Sequence, residues 1–216
     1  MTADWTPEDE ATWQSTFERQ VRGEVRLGHQ DDEDLLSGIG DWIDDEDEIP
    51  DPAKDGLKAH VRSRLAAERA ILASEAAAWP QTTDCDRLDA AIASLQDDGI
   101  VLWAVSPCCN TCTMAEFPDY VEFLAKEDAG LETRLRGYAY FIEQNMADSL
   151  AEGTDIHVYL GYGSTRGEEG DAYPSAALAI GREVVAALDA AGLTTDWPED
   201  LGKKIQLSLD WKRRPE

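Results

Sequence analysis

Long apolar runs are missing from this chain. Nowhere in its 216 residues does a stretch approach the roughly 18 apolar positions that a membrane helix needs. The opening MTADWTPEDEATW has neither the basic start nor the apolar centre of a secretory signal, so a cytoplasmic location is the expectation. Basic residues are scarce, with 19 Lys and Arg against 45 Asp and Glu, for a net charge of −26. A field of that sign repels nucleic-acid phosphates and anionic membrane surfaces, which excludes both as partners and favours a cationic one. Solubility alone also accounts for such a charge. The three histidines are scattered, and neither a G-x-x-x-x-G-K phosphate loop nor a G-x-S-x-G nucleophile elbow occurs. GYGSTRG is glycine-rich in the wrong order for a dinucleotide fingerprint. Four cysteines are too few for a disulfide framework, and inside a cell they start as thiols, metal ligands or redox groups.

What is there divides in two. A hydrophobic content of 43% supports a real core, and the first 80 residues read as helices. Trp13, Phe17, Val21 and Val25 recur every four positions behind Thr6-Pro7, an N-cap with proline at the first helical position, and Gly28 closes the segment. Leu35, Leu36, Ile39, Trp42 and Ile43 predict a second helix from Asp32 to about Asp44. Leu57, Val61, Leu65, Leu72 and Trp79 predict a third from about Pro52 to Ala78, with His60 at its boundary. Between them lies DDEDEIPDP. From Asp31 to Asp55 there are twelve carboxylates against one lysine, without the ligand order of an EF-hand, so the segment reads as a solvated acidic face.

Beyond Pro80, residues 81–216 alternate strand and helix patterns. A helix capped by Asp84 buries Cys85, Leu88, Ala91, Ile92 and Leu95 and ends at Gly99. Strands are expected over Ile100–Val105, Gly137–Ile142 and Asp155–Leu160, the last broken by Gly161 and Gly163 ahead of a loop, STRGEEGD. The first helix after the cysteines is expected to restart at Pro118, and a short one to run from Glu143 to about Ala151. Tyr173–Ala191 reads as an amphipathic helix and Thr194–Trp197 as a short strand. In the last strand Ile205, Leu207, Leu209 and Trp211 alternate with Gln206, Ser208 and Asp210, as in an antiparallel sheet with one wet face or at an edge. The strand–helix–strand order argues for parallel crossovers. The expected class is α+β: a helical N-terminal part, 1–80, followed by a mixed-sheet domain with flanking helices, 81–216.

Chemistry concentrates in SPCCNTC. An apolar strand delivers Cys108, Cys109 and Cys112 into a turn at a helix start. Three readings stand side by side. Cys109-Asn-Thr-Cys112 is a C-x-x-C where helix N–H groups favour a thiolate, a redox arrangement. Cys108, Cys109 and Cys112, with His157 as a fourth ligand, would suit zinc. The third and leading reading is structural, with the thiols packed beneath the turn as small core residues. The run VLWAVSPCCNTCTM resembles the active-site strand and turn of thioredoxin-like proteins, which implies Cys109 as nucleophile and Cys112 as resolving thiol. The Xaa-Pro that opens a later strand in that fold has no counterpart here, since Pro174 falls at a helix start.

DCDRLDAAIASL, GIV, PCCNTCTMAEF, GYAYFIEQN, LGYG and the closing LDWKRR are together similar to an actinobacterial family of unknown function, marked by a CCxxC turn and a C-terminal LDWxRR strand. That family has a Gly where this chain has Thr113, and a His and an Asp where it has Ile142 and Asn145. It implies no activity. The charge and the missing catalytic constellation lead to a non-catalytic, immunity-type or regulatory module that binds a basic protein partner through Asp44, Asp45, Glu46 and Asp47. The alternative is a metal- or thiol-dependent protein centred on the cysteines. No cofactor other than zinc is implied, and no pattern specifies an oligomeric state.

Overall fold

The computed structural model describes residues 5–107, 109–166 and 172–215. Among them eight helices and five strands run in the order α1 (Pro7–Leu27), α2 (Asp32–Asp45), α3 (Asp51–Ala76), α4 (Asp84–Asp97), β1 (Ile100–Ser106), α5 (Asn110–Ala125), α6 (Leu131–Arg134), β2 (Gly137–Ile142), α7 (Met146–Glu152), β3 (Asp155–Ser164), α8 (Ala172–Ala190), β4 (Thr194–Asp196) and β5 (Ile205–Asp210). The fold is α+β, with one mixed sheet ordered β1-β2-β3-β5-β4. No helix among the described residues is long and apolar enough to cross a membrane.

The chain gathers into two compact units. The first comprises Met1–Gln81, Asn145–Thr154 and Lys212–Glu216; the second comprises Thr82–Gln144 and Asp155–Trp211. In the first, Thr6 and Asp9 close a reciprocal capping box on α1, and Gly28 ends the helix in the left-handed region at φ 66°. Phe17, Val21 and Val25 of α1 pack with Leu35, Ile39 and Ile43 of α2 and with Leu57, Val61, Leu65 and Leu72 of α3. His60 Nε2 meets Glu18 Oε1 at 2.9 Å, joining α3 to α1. Helix α7 packs on α1 so closely that a Cβ on Gly23 would lie 2.0 Å from the Ala147 carbonyl oxygen. Only glycine admits that approach.

In the second unit β1 pairs with β2 in parallel, and β2–β3, β3–β5 and β4–β5 are antiparallel. Gly137 and Tyr138 are neighbours on β2 and therefore face opposite sides of the sheet. Ile180 of α8 covers Gly137, whereas Phe117 of α5 lies 5.5 Å from Tyr138, so α8 and α5 take opposite faces. Ile205, Leu207 and Leu209 are buried, and Cys85 is a buried core residue. Strand β5 runs between β3 and β4, not at an edge.

Several expectations are corrected. Asp84 is the first helical residue of α4, and Thr83 is its cap. Helix α5 continues through Pro118 without restarting. Helix α7 begins at Met146, not Glu143, after Asn145 in the left-handed region at φ 65°. The β2–β3 pairing is antiparallel despite the intervening helix. Gly161 and Gly163 do not break β3, which runs on to Ser164. They stand opposite Tyr140 and Tyr138, where a Cβ would lie 2.7 Å from Tyr140 Cζ and 2.5 Å from the Tyr138 hydroxyl. The glycines leave room for two rings lying across the strand. The expected loop STRGEEGD extends into 167–171, outside the described residues.

Candidate functional site

Strand β1 reaches the cysteine turn through a bulge. Trp103 pairs with Tyr140 and Ser106 with Ile142, so Ala104 and Val105 together oppose Phe141. Extra residues of this kind re-aim a strand end and recur beside functional sites. Val105, buried, sits at φ 52°. For a β-branched side chain this left-handed conformation is strained, and buried hydrogen bonds at the neighbouring Ser106 hold it in place.

Ser106 and Thr113, both fully buried, bracket the turn. Their hydroxyls meet at 2.9 Å, the Ser106 hydroxyl donates to the Phe141 carbonyl at 3.1 Å, and the Thr113 hydroxyl donates to the Pro107 carbonyl at 3.1 Å. Two hydroxyl protons therefore serve three contacts. The Glu143 N–H adds a 2.9 Å bond to the Ser106 carbonyl. Polar groups buried this way fix one geometry, because each loses its water.

The braced turn puts Cys109 at the N-cap of α5. Its Sγ accepts the Cys112 backbone N–H at 3.5 Å and stands 3.5 Å from Cys112 Sγ. That is a thiol–thiol contact, longer than the roughly 2.05 Å of a disulfide bond. Both residues are partly exposed. No acidic residue lies in the first turn of α5, so the first-turn N–H groups meet the sulfur without a carboxylate of that turn beside it. Lys204 Nζ donates to Asn110 Oδ1 at 3.0 Å and lies 5.9 Å from the Tyr140 ring centre. Burial lowers its ammonium pKa from the ordinary value. Burial raises the phenols of Tyr120, Tyr138 and Tyr140, Tyr138 also through Tyr173, so the tyrosines stay neutral. Trp103 stacks on Tyr120 at 4.3 Å and locks α5 to β1.

Of the residues singled out from sequence, Cys109 and Cys112 come together, and Cys108 lies outside the described residues. His157 is exposed on β3, where its Nδ1 meets the Ser208 hydroxyl at 3.0 Å. Ser208 is four positions beyond Lys204, a rise of about 13 Å, and Lys204 is the residue that reaches the turn. Among the described residues no group of three or more His, Cys, Asp and Glu side chains gathers where it could hold a metal. Of a four-ligand zinc set, Cys109 and Cys112 are the two brought together. Asp44, Asp45, Glu46 and Asp47 lie at the end of α2 and just beyond it. Lys58 pairs with Asp44 at 2.6 Å and Lys54 donates to the Asp44 carbonyl at 2.7 Å.

Sequence reasoning missed Ser106, Thr113, Lys204 and the strained Val105. A polar residue ending an apolar strand and a threonine directly after Cys112 were signals for the first two. Lys204, 92 positions from Cys112 in the chain, carried none.

No curated protein and no solved structure matches this chain. A family model described as a domain of unknown function, DUF6891, matches residues 9–215. This chain belongs to that family.

Proposed function

We propose that the protein carries out thiol–disulfide exchange, with Cys109 as the attacking sulfur and Cys112 as the resolving one. The observation that supports this reading is the 3.5 Å Sγ–Sγ contact at the N-terminus of a helix whose first turn carries no acidic residue. The Cys109 thiolate attacks one sulfur of a substrate disulfide, forms a mixed disulfide and releases the other substrate sulfur as a thiolate. The Cys112 thiolate then attacks Cys109 Sγ and releases the second substrate thiolate. An intramolecular Cys109–Cys112 disulfide remains. The substrate gains two electrons and the protein loses two. Lys204 brings a cation to the side chain of Asn110, the residue next to Cys109.

The test is a thiol count and elemental analysis of freshly purified protein, followed by oxidised glutathione and peptide mapping. A Cys109–Cys112 crosslink that also forms in Cys108→Ser supports the reading. Unchanged thiols under an oxidising glutathione poise overturn it. Stoichiometric zinc also overturns it, in favour of a metal site that uses Cys109 and Cys112 as ligands.

A second reading, a non-catalytic module for a basic protein partner, is supported by Asp45 and Asp47. Both are exposed, and neither has an ion-pair partner among the described residues. It requires a complex captured at low salt and lost when Asp44, Asp45, Glu46 and Asp47 are neutralised together. Failure to capture any protein at low salt sinks it.

A further inference from the structure

Arginines gather in one concavity of the first unit. Arg22 and Arg26 on α1, Arg64, Glu68 and Ile71 on α3, and Ala151 and Glu152 at the end of α7 line a cavity of about 500 Å³. With Glu75 on Arg26, Glu18 beside Arg64 and Arg19 on Glu152, guanidinium and carboxylate groups balance in this concavity, in a chain of net charge −26. Glu68 is the buried centre, only 3% exposed. Arg22 Nε donates to its Oε1 at 3.1 Å, and an Arg64 Nη donates to the same oxygen. Arg26 pairs with Glu75 at 2.9 Å.

One carboxylate shared by two guanidinium groups leaves donors over. Each guanidinium carries five N–H bonds. Among the described residues Arg64 Nε is buried without a hydrogen-bond partner, while an Nη of Arg64 lies 3.8 Å from Glu18, and the two Nη nitrogens of Arg22 make no bond to a described residue. A buried guanidinium nitrogen without an acceptor is costly, and natural structures rarely keep one without a reason. Arginine forks match the oxygens of carboxylate and phosphate groups. The cavity falls within the roughly 300–1,000 Å³ of small-molecule sites, larger than a bare oxyanion, and Ile71 (41% exposed) and Ala151 supply an apolar wall.

We infer that this cavity binds a small organic anion, with a carboxylate or phosphate group held by Arg22 and Arg64 and an apolar body laid on Ile71. Glu68 both positions the guanidinium groups and opposes the ligand's charge, so the two kinds of substitution act in opposite directions. The inference does not depend on the dithiol.

Calorimetric titration of the full chain with inorganic phosphate and, separately, with succinate tests it. The expected result is saturable binding of at least one probe with a dissociation constant on the order of 1 mM or below. Arg22→Gln, at the open side of the cavity, weakens it about tenfold, and Glu68→Gln strengthens it by a similar factor. A preference for phosphate or for succinate identifies the headgroup. No saturable binding of either probe to the wild-type protein overturns the inference. Binding unaffected by Arg22→Gln in a folded variant overturns it as well.

Discussion

Helices α4 and α5 start alike and are capped by different chemistry. At α4, Thr83 is the N-cap and Asp86 the N3 residue. The Thr83 hydroxyl accepts the Asp86 N–H at 3.2 Å, and the Asp86 carboxylate accepts the Thr83 N–H at 2.7 Å. At α5 the same two positions hold Cys109 and Cys112, and a sulfur accepts the N3 N–H at 3.5 Å. A C-x-x-C at this place puts a sulfur where α4 has the capping hydroxyl. Oxygen acceptors make the stronger cap, because sulfur is a weak acceptor. The chain has 45 acidic residues, places two in the first turn of α4 and none in that of α5. The difference is what the proposed exchange calls for at the second helix start. One end is closed by a fixed carboxylate, and the other keeps its dipole for a sulfur that can change its bonding.

The comparison breaks most visibly if the thiols are rewritten as the other cap. In the double variant Cys109→Thr/Cys112→Asp, disulfide exchange falls by at least about 100-fold, roughly 2.7 kcal/mol in activation free energy. Folding stability is expected to rise by about 1 kcal/mol. Urea denaturation beside a glutathione exchange assay reads both, and a variant that keeps its exchange rate would remove the dithiol from the mechanism.

Next in size is the brace beneath α5. Thr113→Val removes the hydroxyl that meets the buried Ser106 and donates to the part-buried Pro107 carbonyl. A loss of about 1–3 kcal/mol is expected. Slower crosslinking of Cys109 to Cys112 should accompany it, measured by timed quenching with an alkylating agent. A stability loss with unchanged crosslinking would make the brace merely structural.

Single cap deletions sharpen the contrast further. Thr83→Ala should cost about 1 kcal/mol. Cys109→Ala should cost about half of that or less, since a weaker acceptor is lost. Equal losses in chemical denaturation would mean that the sulfur caps as well as the hydroxyl does, and the functional contrast would fall.

The smallest effect lies near the other end of α5. The hydrogen bonds from Arg134 and then Gln96 lower the Asp128 carboxyl from its ordinary 3.8 to about 2. A depressed carboxyl stabilises the folded state above its unfolded value and stops doing so as pH falls through its folded value. The wild-type protein should therefore lose stability progressively as pH drops from near 3.8 toward about 2. Asp128→Asn should flatten that part of the acid-unfolding profile, and an unchanged profile would contradict the assignment.

The elements with local causes were legible in the sequence. The four-residue stripe from Trp13 to Val25, the Thr6-Pro7 start and the Gly28 stop predicted α1 almost to the residue, because caps and periodicity act within a few positions. The alternation of Ile205, Leu207 and Leu209 predicted β5 for the same reason. The α+β class and the placement of Cys109 at a helix start after a strand were equally readable. Glycine misled at Gly161 and Gly163. The local rule reads them as strand breakers, yet they serve Tyr140 and Tyr138, residues more than 20 positions away in the chain.

What the sequence determined alone is therefore the list of elements and the suspicious turn, both products of short-range steric and hydrogen-bond preferences. Only the tertiary structure decided which groups meet. It took the helix on the β2–β3 connection and the last five residues into the first unit. It set Ser106 against Thr113, brought Lys204 to Asn110, and drew two arginines onto Glu68. Such meetings come from burial of apolar faces and from long loop closures, whose free energies belong to the whole chain and leave no local pattern to read.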